Sequence, residues 1–294
     1  MLTKPAQKVP QKMMPPADEK LKKIIRNALW EDIGKVDITS GAIIPKNLLY
    51  TGSIIVKEEG VIAGLQVAKQ CFRMLDSTIK FTEWEHDGSM VSSGTVVADI
   101  NGPARTILSA ERVALNFLQR MSGIASLTRQ FVEAVKGTST IILDTRKTAP
   151  GLRMLDKWAV MLGGGKNHRS GLYDMILIKE NHIAVAGSIR ESVKRVEKLQ
   201  QQGFDVEVEV RHLSELEETL QLPVDRILLD NMSLDQMKQA VKIAQGKIPL
   251  EASGNITLQN VAQVAHTGVD YISIGALTHS PKALDISLLL KGTN

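Results

Sequence analysis

Six short apolar strings rich in β-branched residues recur after about residue 123, and this recurrence constrains the fold more than any other feature. The strings read TIILDT, DMILIK, DVEVEV, RILLDN, IPLEAS and YISIG. Helix-like sequence accompanies them, in LRMLDKWAVM, SIRESVKRVEKLQQ, LSELEETLQ, SLDQMKQAVKIAQ and TLQNVAQVAHT. Strand ends recur after roughly 20–35 residues, the size of βα units. Continuous apolar strands alternating with amphipathic helices predict a parallel sheet covered on both faces.

The polar residues at the strand ends favour a barrel over an open doubly wound sheet. No GxGxxG follows any strand, so the dinucleotide-binding fingerprint is missing. In α/β barrels the active site lies at the carboxyl ends of the strands. Six units rather than eight predict an incomplete α/β barrel over residues 123–280. The six strings end at Arg146 and Lys147, Lys179, Glu209, Asp230, Ser253 and Gly275.

The first part of the chain follows a different pattern. Helical periodicity covers residues 21–30, and short β-rich pieces alternate with glycine-containing turns between Thr51 and Ile100. This punctuation predicts a small, mostly antiparallel sheet. Helices are expected over Ala68–Leu75 and Ser109–Met121, giving an N-terminal α+β domain over residues 19–122. Residues 1–18 contain prolines and no continuous apolar core, so we expect a loose tail.

Composition excludes several classes of protein. The net charge is only +4 and aromatic residues are 4%, whereas nucleic-acid binding usually combines basic clusters with aromatics. Cys71 is the only cysteine, so an intrachain disulfide and a cysteine-based zinc site are excluded. No apolar run is long enough to cross a bilayer, and the N-terminal tail is unlike a signal peptide. We therefore expect a cytoplasmic protein without nucleic-acid or membrane partners.

The segment Asp144–His182 gathers cations at the ends of apolar strings, a placement that predicts a pocket for a small polyanion. Its cations are Arg146, Lys147, Arg153, His168, Arg169 and Lys179. Two alternatives remain open: an exposed basic pair at Arg146 and Lys147, and a Lys179 side chain pointing to solvent. GGGKNHR (163–169) is not a phosphate loop, because Val160 and Asn167 occupy required glycine and Ser/Thr positions. His168 and Arg169 can instead bind a carboxylate through charge-assisted hydrogen bonds.

Acidic and small residues complete the predicted rim. Glu209 and Asp230 both end apolar strands, and oxygen ligands of this kind suit Mg²⁺ bridging a polyphosphate. Glu207 shares the strand face of Glu209 and competes with it, although its depth makes it less suitable. In many α/β barrels a phosphate site lies at the last two strands, so LEASGN and SIGAL are candidates. In IKENH, Glu180 and His182 either orient Lys179 or cap the next helix.

Several motifs, in order and spacing, resemble quinolinate phosphoribosyltransferases. They are EDIGKVDITSG, SAERVALNFLQRMSGIAS, DTRKTAPGLR, GGGKNHRSGLYD, LIKENH, EVEV, LLDNM, LEASGNIT and GVDYISIGALTHS. The resemblance implies that quinolinate and phosphoribosyl pyrophosphate are converted, with Mg²⁺, to nicotinate mononucleotide, CO2 and pyrophosphate. It implies an N-terminal open-faced sandwich, completed by the C-terminal segment 281–294, beside an incomplete barrel. It also implies a homodimer in which one subunit's sandwich covers its partner's barrel mouth.

The resemblance also implies roles for residues of this sequence. Arg112 matches the arginine contributed across the dimer interface. Asn255 stands where a second glycine is common, which puts close backbone approach there in doubt. Arg146, His168, Arg169 and Lys179 match the family's quinolinate pocket, and Lys147 and Lys179 match its pyrophosphate site. Glu209 and Asp230 match the acidic pair near the ribose and the metal. The phosphate loops match Ser253, Gly254, Asn255 and Gly275, and flanking substrate contacts match Thr145, Ile274 and Ala276.

Two other functions are compatible with the same fold and pocket. One is the related paralogue of molybdenum transport operons, which shares the fold, but the complete basic set favours quinolinate. The other is a non-catalytic sugar-phosphate sensor, against which the intact Glu209 and Asp230 argue.

Overall fold

The computed structural model describes residues 18–291. The tail expected over residues 1–18 lies outside them except for Asp18, as do the last three residues of the segment 281–294. The first domain contains α1 (Asp18–Ile33), α2 (Ile38–Ile43), β1 (Leu49–Val56), β2 (Gly60–Val61), α3 (Leu65–Leu75), β3 (Lys80–Glu83), β4 (Met90–Val91), β5 (Val96–Pro103) and α4 (Ala104–Ala134).

The later elements alternate between strand and helix before one last strand. They are β6 (Ile141–Leu143), α5 (Arg153–Leu162), β7 (Ile176–Ile178), α6 (Glu180–Ala186), α7 (Ile189–Gln201), β8 (Val206–Val210), α8 (Leu213–Thr219), β9 (Arg226–Asp230), α9 (Leu234–Ala244), β10 (Leu250–Ser253), α10 (Val261–Ala265), β11 (Tyr271–Ser273), α11 (Ala276–His279) and β12 (Ile286–Lys291). The expected βα alternation is confirmed. The short helices α6 and α11 were not predicted.

The N-terminal domain is built on an antiparallel sheet of order β12-β1-β5-β3, as the sequence pattern predicted. β12 follows the last barrel strand in the chain and pairs with β1, placing Thr51 opposite Lys291. Helices α1, α3 and α4 pack together beside this sheet. Phe72 of α3 meets Phe81 of β3, with ring centroids 6.1 Å apart in the core.

Helix α4 is much longer than the predicted Ser109–Met121. Its 31 residues run through position 122, where the domain boundary was expected. The helix continues because its apolar face continues, with Ile124 and Phe131 buried beyond that point. Gly123 has no side chain, which allows the backbone of Lys282 to lie against the helix. One helix therefore belongs to the packing of both domains.

The second sheet has six parallel strands in the order β6-β11-β10-β9-β8-β7. Every pair adjacent around a barrel is hydrogen-bonded except β6 with β7, so the barrel is incomplete, as predicted. An isolated parallel β-bridge pairs Leu143 of β6 with Lys166, on the side where β6 and β7 are not paired. Within residues 18–291, no helix is both long and apolar enough to span a membrane.

Candidate active site

A cleft of about 680 Å³ lies at the carboxyl ends of the barrel strands. It collects every site residue that the sequence predicted apart from Arg112 and Arg153, whose guanidinium donates to the Thr148 hydroxyl and to the carbonyls of Arg146 and Ser170. The predicted residues lining it are Thr145, Arg146, Lys147, His168, Arg169, Lys179, Glu209, Asp230, Ser253, Gly254, Asn255, Ile274, Gly275 and Ala276. Segments that are far apart in the chain thus converge on one mouth, since parallel strands end on the same side of a barrel.

Arg112 does not line this cleft. It lies on α4 of the N-terminal domain with an exposed side chain. One turn earlier, the Ser109 hydroxyl donates to Asp37 Oδ2 at 2.8 Å, which ties the start of α2 to α4. Ile38 and Ile43 of α2 are 77% and 71% exposed, so α2 presents an apolar surface.

A network of hydrogen bonds holds the loop after β6, which carries the cations Arg146 and Lys147. Arg120 donates to both carboxylate oxygens of Asp156, at 2.9 and 2.8 Å. Asp156 also accepts the backbone N–H of Ala149, and the Thr278 hydroxyl donates to the carbonyl of Lys147 at 2.8 Å. Because Asp156 is fully buried, this network holds the loop in one conformation.

The acidic rim residues each face a cation. Lys179 Nζ lies 3.1 Å from Glu209 Oε2, so the lysine points toward the cleft. Arg211 Nε lies 3.7 Å from Asp230 Oδ2, and the same guanidinium forms an ion pair with Glu180. Sequence reasoning missed Arg211, because it follows β8 in a stretch that reads as an ordinary polar loop. The rim is therefore an alternating set of charges, with both signs available to a ligand.

The sequence left two roles open for Glu180 and His182 in IKENH: orienting Lys179 or capping the next helix. In the structure His182 caps helix α6. The backbone N–H of Lys179 donates to His182 Nδ1 at 2.9 Å, at the first turn of α6. This bond satisfies an N–H at the strand-to-helix junction and fixes the backbone from which the lysine side chain leaves.

The floor of the cleft contains two carboxyl groups that solvent does not reach. Glu207 lies one layer below Glu209 and is fully buried, whereas Glu209 lines the cleft. Glu251 is also fully buried; burial and the neighbouring Glu207 charge raise its pKa to about 7. Burial likewise raises the pKa of Glu207. Burial therefore favours the protonated form of both carboxyls.

Arg226 and His168 accompany the buried carboxyls. Arg226 Nη1 donates to Glu251 Oε2 at 2.9 Å, and its guanidinium carbon lies 4.2 Å from the centre of the Tyr271 ring. His168 Nε2 lies 3.0 Å from Glu207 Oε2, and burial lowers the pKa of the imidazole. Sequence reasoning missed Glu251 and Arg226, although charged residues inside apolar strands are a usable signal.

A buried ion pair anchors the loop bearing His168. Lys157 Nζ donates to Asp144 Oδ1 and to the carbonyl of His168, while the His168 N–H donates to the same Asp144 oxygen. Burial raises the pKa of Asp144 to about 6, and Lys157 opposes this rise. The pair thus joins the end of β6 to helix α5 and to the loop entering the barrel opening.

The end of the cleft at β10 and β11 is lined by small residues with unusual backbone. Gly254 has φ +99°, and a Cβ there would overlap the Asn231 side chain. Asn255 is also left-handed, at φ 52°, and its Nδ2 donates to Asn231 Oδ1 at 3.1 Å. A Cβ on Gly275 would lie 3.0 Å from Lys147 Cδ. Asn255 thus adopts a backbone conformation that glycine favours, at the position where the family commonly has a second glycine.

Two family profiles together cover most of the chain. The N-terminal domain of quinolinate phosphoribosyl transferase matches residues 37–122, and its C-terminal domain matches residues 124–289. The junction between the profiles falls inside α4.

Relatives and solved structures agree with these matches. A chloroplastic nicotinate-nucleotide pyrophosphorylase [carboxylating] from Oryza sativa subsp. japonica is 45% identical over 287 residues, covering 91% of this chain and 77% of its own. A mitochondrial quinolinate phosphoribosyltransferase [decarboxylating] 2b from Nicotiana tabacum is also 45% identical, covering 91% and 81%. The crystal structure of NadC from Streptococcus pyogenes is similar with TM-score 0.91 and 39% identity, covering 95% of this chain and all of that one.

Proposed function

This chain belongs to the quinolinate phosphoribosyltransferase family, and on that premise we propose how its cleft divides the reaction among named residues. The enzyme transfers the phosphoribosyl group of phosphoribosyl pyrophosphate to quinolinate with decarboxylation, in the biosynthesis of NAD. Nicotinate mononucleotide, pyrophosphate and CO2 are the products. The observation that carries the assignment of residues is the convergence of cations and carboxylates from six strand ends on one cleft.

Quinolinate is a planar diacid, and the cations near β6 and β7 suit its two carboxylates. Arg146, Arg169 and Lys179 all line the cleft. Charge-assisted hydrogen bonds from guanidinium groups fix a carboxylate in orientation as well as position. Lys179 is already paired with Glu209, so substrate binding exchanges one carboxylate partner for another.

The activated sugar fits the remaining part of the cleft. Ser253, Gly254 and Gly275 expose hydroxyl and backbone groups where a phosphate monoester can approach closely. Lys147 lies against Gly275, near enough to serve the pyrophosphate end. The left-handed Asn255 belongs to the same phosphate loop.

Mg²⁺ fits the acidic pair at the rim. Glu209 and Asp230 offer carboxylate oxygens to the cleft and provide too few ligands for a protein-only cage. Such a set suits Mg²⁺, which retains water and takes phosphate oxygens from its substrate. Bound there, the ion would neutralise charge on the pyrophosphate leaving group.

The residues act mainly through positioning and electrostatics. The quinolinate nitrogen attacks the anomeric carbon as pyrophosphate leaves, and positive charge develops on the ribose. Glu209 and Asp230 stabilise that charge, while Lys147 stabilises the departing negative charge. The quaternary nitrogen then accepts the electrons released when the adjacent carboxylate leaves as CO2.

Incubation with quinolinate, phosphoribosyl pyrophosphate and Mg²⁺ tests this function. Stoichiometric CO2 and nicotinate mononucleotide are expected, and both should disappear when EDTA removes the metal. Binding of both substrates without CO2 release supports a sensor instead. Nucleotide formation with a different acceptor, but none with quinolinate, supports the paralogue.

We also propose a homodimer in which Arg112 completes the partner's cleft. Arg112 lies outside its own cleft, on the helix to which Ser109 ties α2 with its exposed Ile38 and Ile43. Leu172 and Tyr173, in the loop leading to β7, are 75% and 74% exposed close to the barrel mouth. Two such apolar surfaces on one chain favour burial against a second copy.

Subunit mixing tests the shared cleft. Arg112→Ala and Lys147→Ala homodimers should each be nearly inactive. Co-refolded mixtures should regain up to about a quarter of wild-type activity, because statistical assembly makes half the dimers mixed, each with one intact site. Absence of recovery in dimers of normal mass refutes the contribution of Arg112 across the interface.

We propose the cytoplasm as the compartment. The single cysteine, Cys71, is buried and free, which suits a reducing environment. Plant relatives carry chloroplastic and mitochondrial names, so cell fractionation is the direct test. Recovery of the native protein in an organelle fraction would replace this proposal.

A further inference from the structure

His168 is held at its backbone and at one ring nitrogen. Its N–H donates to Asp144 Oδ1 at 2.9 Å, and its carbonyl accepts from Lys157 Nζ at 2.9 Å. Its Nδ1 accepts the backbone N–H of Arg169 at 2.7 Å. Its Nε2 lies 3.0 Å from Glu207 Oε2, and only 6% of the side chain is exposed. The ring therefore has little freedom to turn toward a ligand.

These contacts fix the tautomer of His168. A neutral imidazole carries one N–H, and the nitrogen that accepts a hydrogen bond cannot carry it. Because Nδ1 accepts from Arg169, the proton is on Nε2. That nitrogen lies 3.0 Å from Glu207 and 3.6 Å from Glu251. Within residues 18–291, both Glu207 oxygens and Glu251 Oε1 are buried without a hydrogen-bond partner, so Nε2 lies beside two carboxyl groups that need a donor.

The same three side chains have the composition of a metal site, but the hydrogen bonding opposes that use. Their ligand atoms lie within 4.8 Å of one another. A metal on Nε2 would require the proton on Nδ1, where it would oppose the N–H of Arg169 at 2.7 Å. Glu251 is also already paired with Arg226 at 2.9 Å. The cluster is better suited to holding a proton than a cation.

We propose that His168 is a positioning residue, held as the neutral Nε2–H tautomer between Arg169 and the buried Glu207–Glu251 pair, and that it acts on quinolinate only through Arg169. The inference rests on the proposed function for its substrate, but the tautomer does not. Arg169 Nη1 donates to the carbonyl of Met175 at 3.2 Å, so backbone bonds at both ends set its direction into the cleft.

The tautomer is tested first, without any activity measurement. ¹⁵N-histidine NMR of the full-length wild-type protein at pH 7.5 should show His168, assigned with His168→Asn, as an Nε2–H imidazole. Saturating quinolinate should leave its ring shifts within the Nε2–H range, and a Zn²⁺ titration should not shift its Nε2 resonance. An Nδ1–H tautomer, or a Zn²⁺-dependent Nε2 shift, overturns the proposal in favour of the metal site.

A double-mutant cycle tests the action through Arg169. His168→Leu should raise KM for quinolinate about tenfold and leave KM for phosphoribosyl pyrophosphate within about twofold, since it removes one backbone hydrogen bond at Arg169. His168→Asn, which retains an acceptor near the Nδ1 position, should recover most of this loss. In an Arg169→Lys background His168→Leu should add less than about twofold. A full, additive tenfold effect there means that His168 contacts quinolinate directly, which refutes the proposal. Inactivity of the wild type with quinolinate would sink the proposed function and leave the NMR result standing.

Discussion

Replacing Asp156 by Asn should lower both the stability of the fold and the affinity for phosphoribosyl pyrophosphate. The side chain is fully buried and accepts two hydrogen bonds from Arg120, at 2.9 and 2.8 Å, and one from Ala149. Asn keeps the shape but removes the charge and one acceptor. Breaking a buried pair costs about 3–5 kcal/mol, and the 28% exposure of Arg120 reduces this to about 2–3 kcal/mol.

Thermal and urea unfolding at fixed protomer concentration measure this loss. The expected decrease in Tm is about 3–5 °C for a chain of this size. Because Arg120 and Thr278 link this carboxylate to the Lys147 loop, KM for phosphoribosyl pyrophosphate should rise about tenfold, with a smaller change for quinolinate.

The matched control is Glu133→Gln, which removes an exposed ion pair with Lys136 at 3.2 Å. It should change stability by less than about 0.5 kcal/mol and leave both KM values unaltered. Equal unfolding free energies for the two variants would show that the buried network contributes nothing beyond a surface pair. A destabilised Asp156→Asn with normal KM values would separate folding from loop placement and refute the second half of the reasoning.

Three further outcomes are expected. Gly163→Ala should destabilise by about 3 kcal/mol, because its Cβ would lie 2.6 Å from Thr128 Cβ, whereas Gly41→Ala meets nothing within 4 Å; equal urea midpoints would contradict this. Burial raises the Glu251 pKa from 4.5 to about 7, so the folded state holds this proton more tightly than the unfolded chain and stability falls as pH rises between these values. Glu251→Gln should remove up to about 3 kcal/mol of that pH dependence in urea titrations at pH 4.5 and 8; an unchanged difference would place the titration elsewhere. Glu209→Gln should lower kcat about a hundredfold with less change in KM for phosphoribosyl pyrophosphate; unchanged turnover would remove this carboxylate from the mechanism.

The strand ends were predictable because parallel strands impose a common direction on the residues that follow them. That rule predicts from the sequence alone that Lys179, Glu209 and Asp230 share one cleft, as they do in the structure. The sequence at the start of α4 did not predict the length of this helix. The apolar face of α4 continues past position 122, but it packs against the N-terminal domain in its first half and against the barrel in its second half.

The buried floor of the cleft was missed for a different reason. Glu251 stands in the string LEASGN, in which the Ser253 hydroxyl and Gly254 are the residues that predict a phosphate site. Its significance depends on Glu207 and Arg226, which come from other strands, and no local pattern reports such a meeting. Charged residues inside three apolar strands were the only available sign.

The pairing of β12 with β1 has a consequence for synthesis on the ribosome. The partner of β1 is translated about 230 residues later, so this strand presents a bare edge while the whole barrel is being made. Nascent chains that stall before β12 emerges should consequently be the ones that chaperones retain or that aggregate through strand addition.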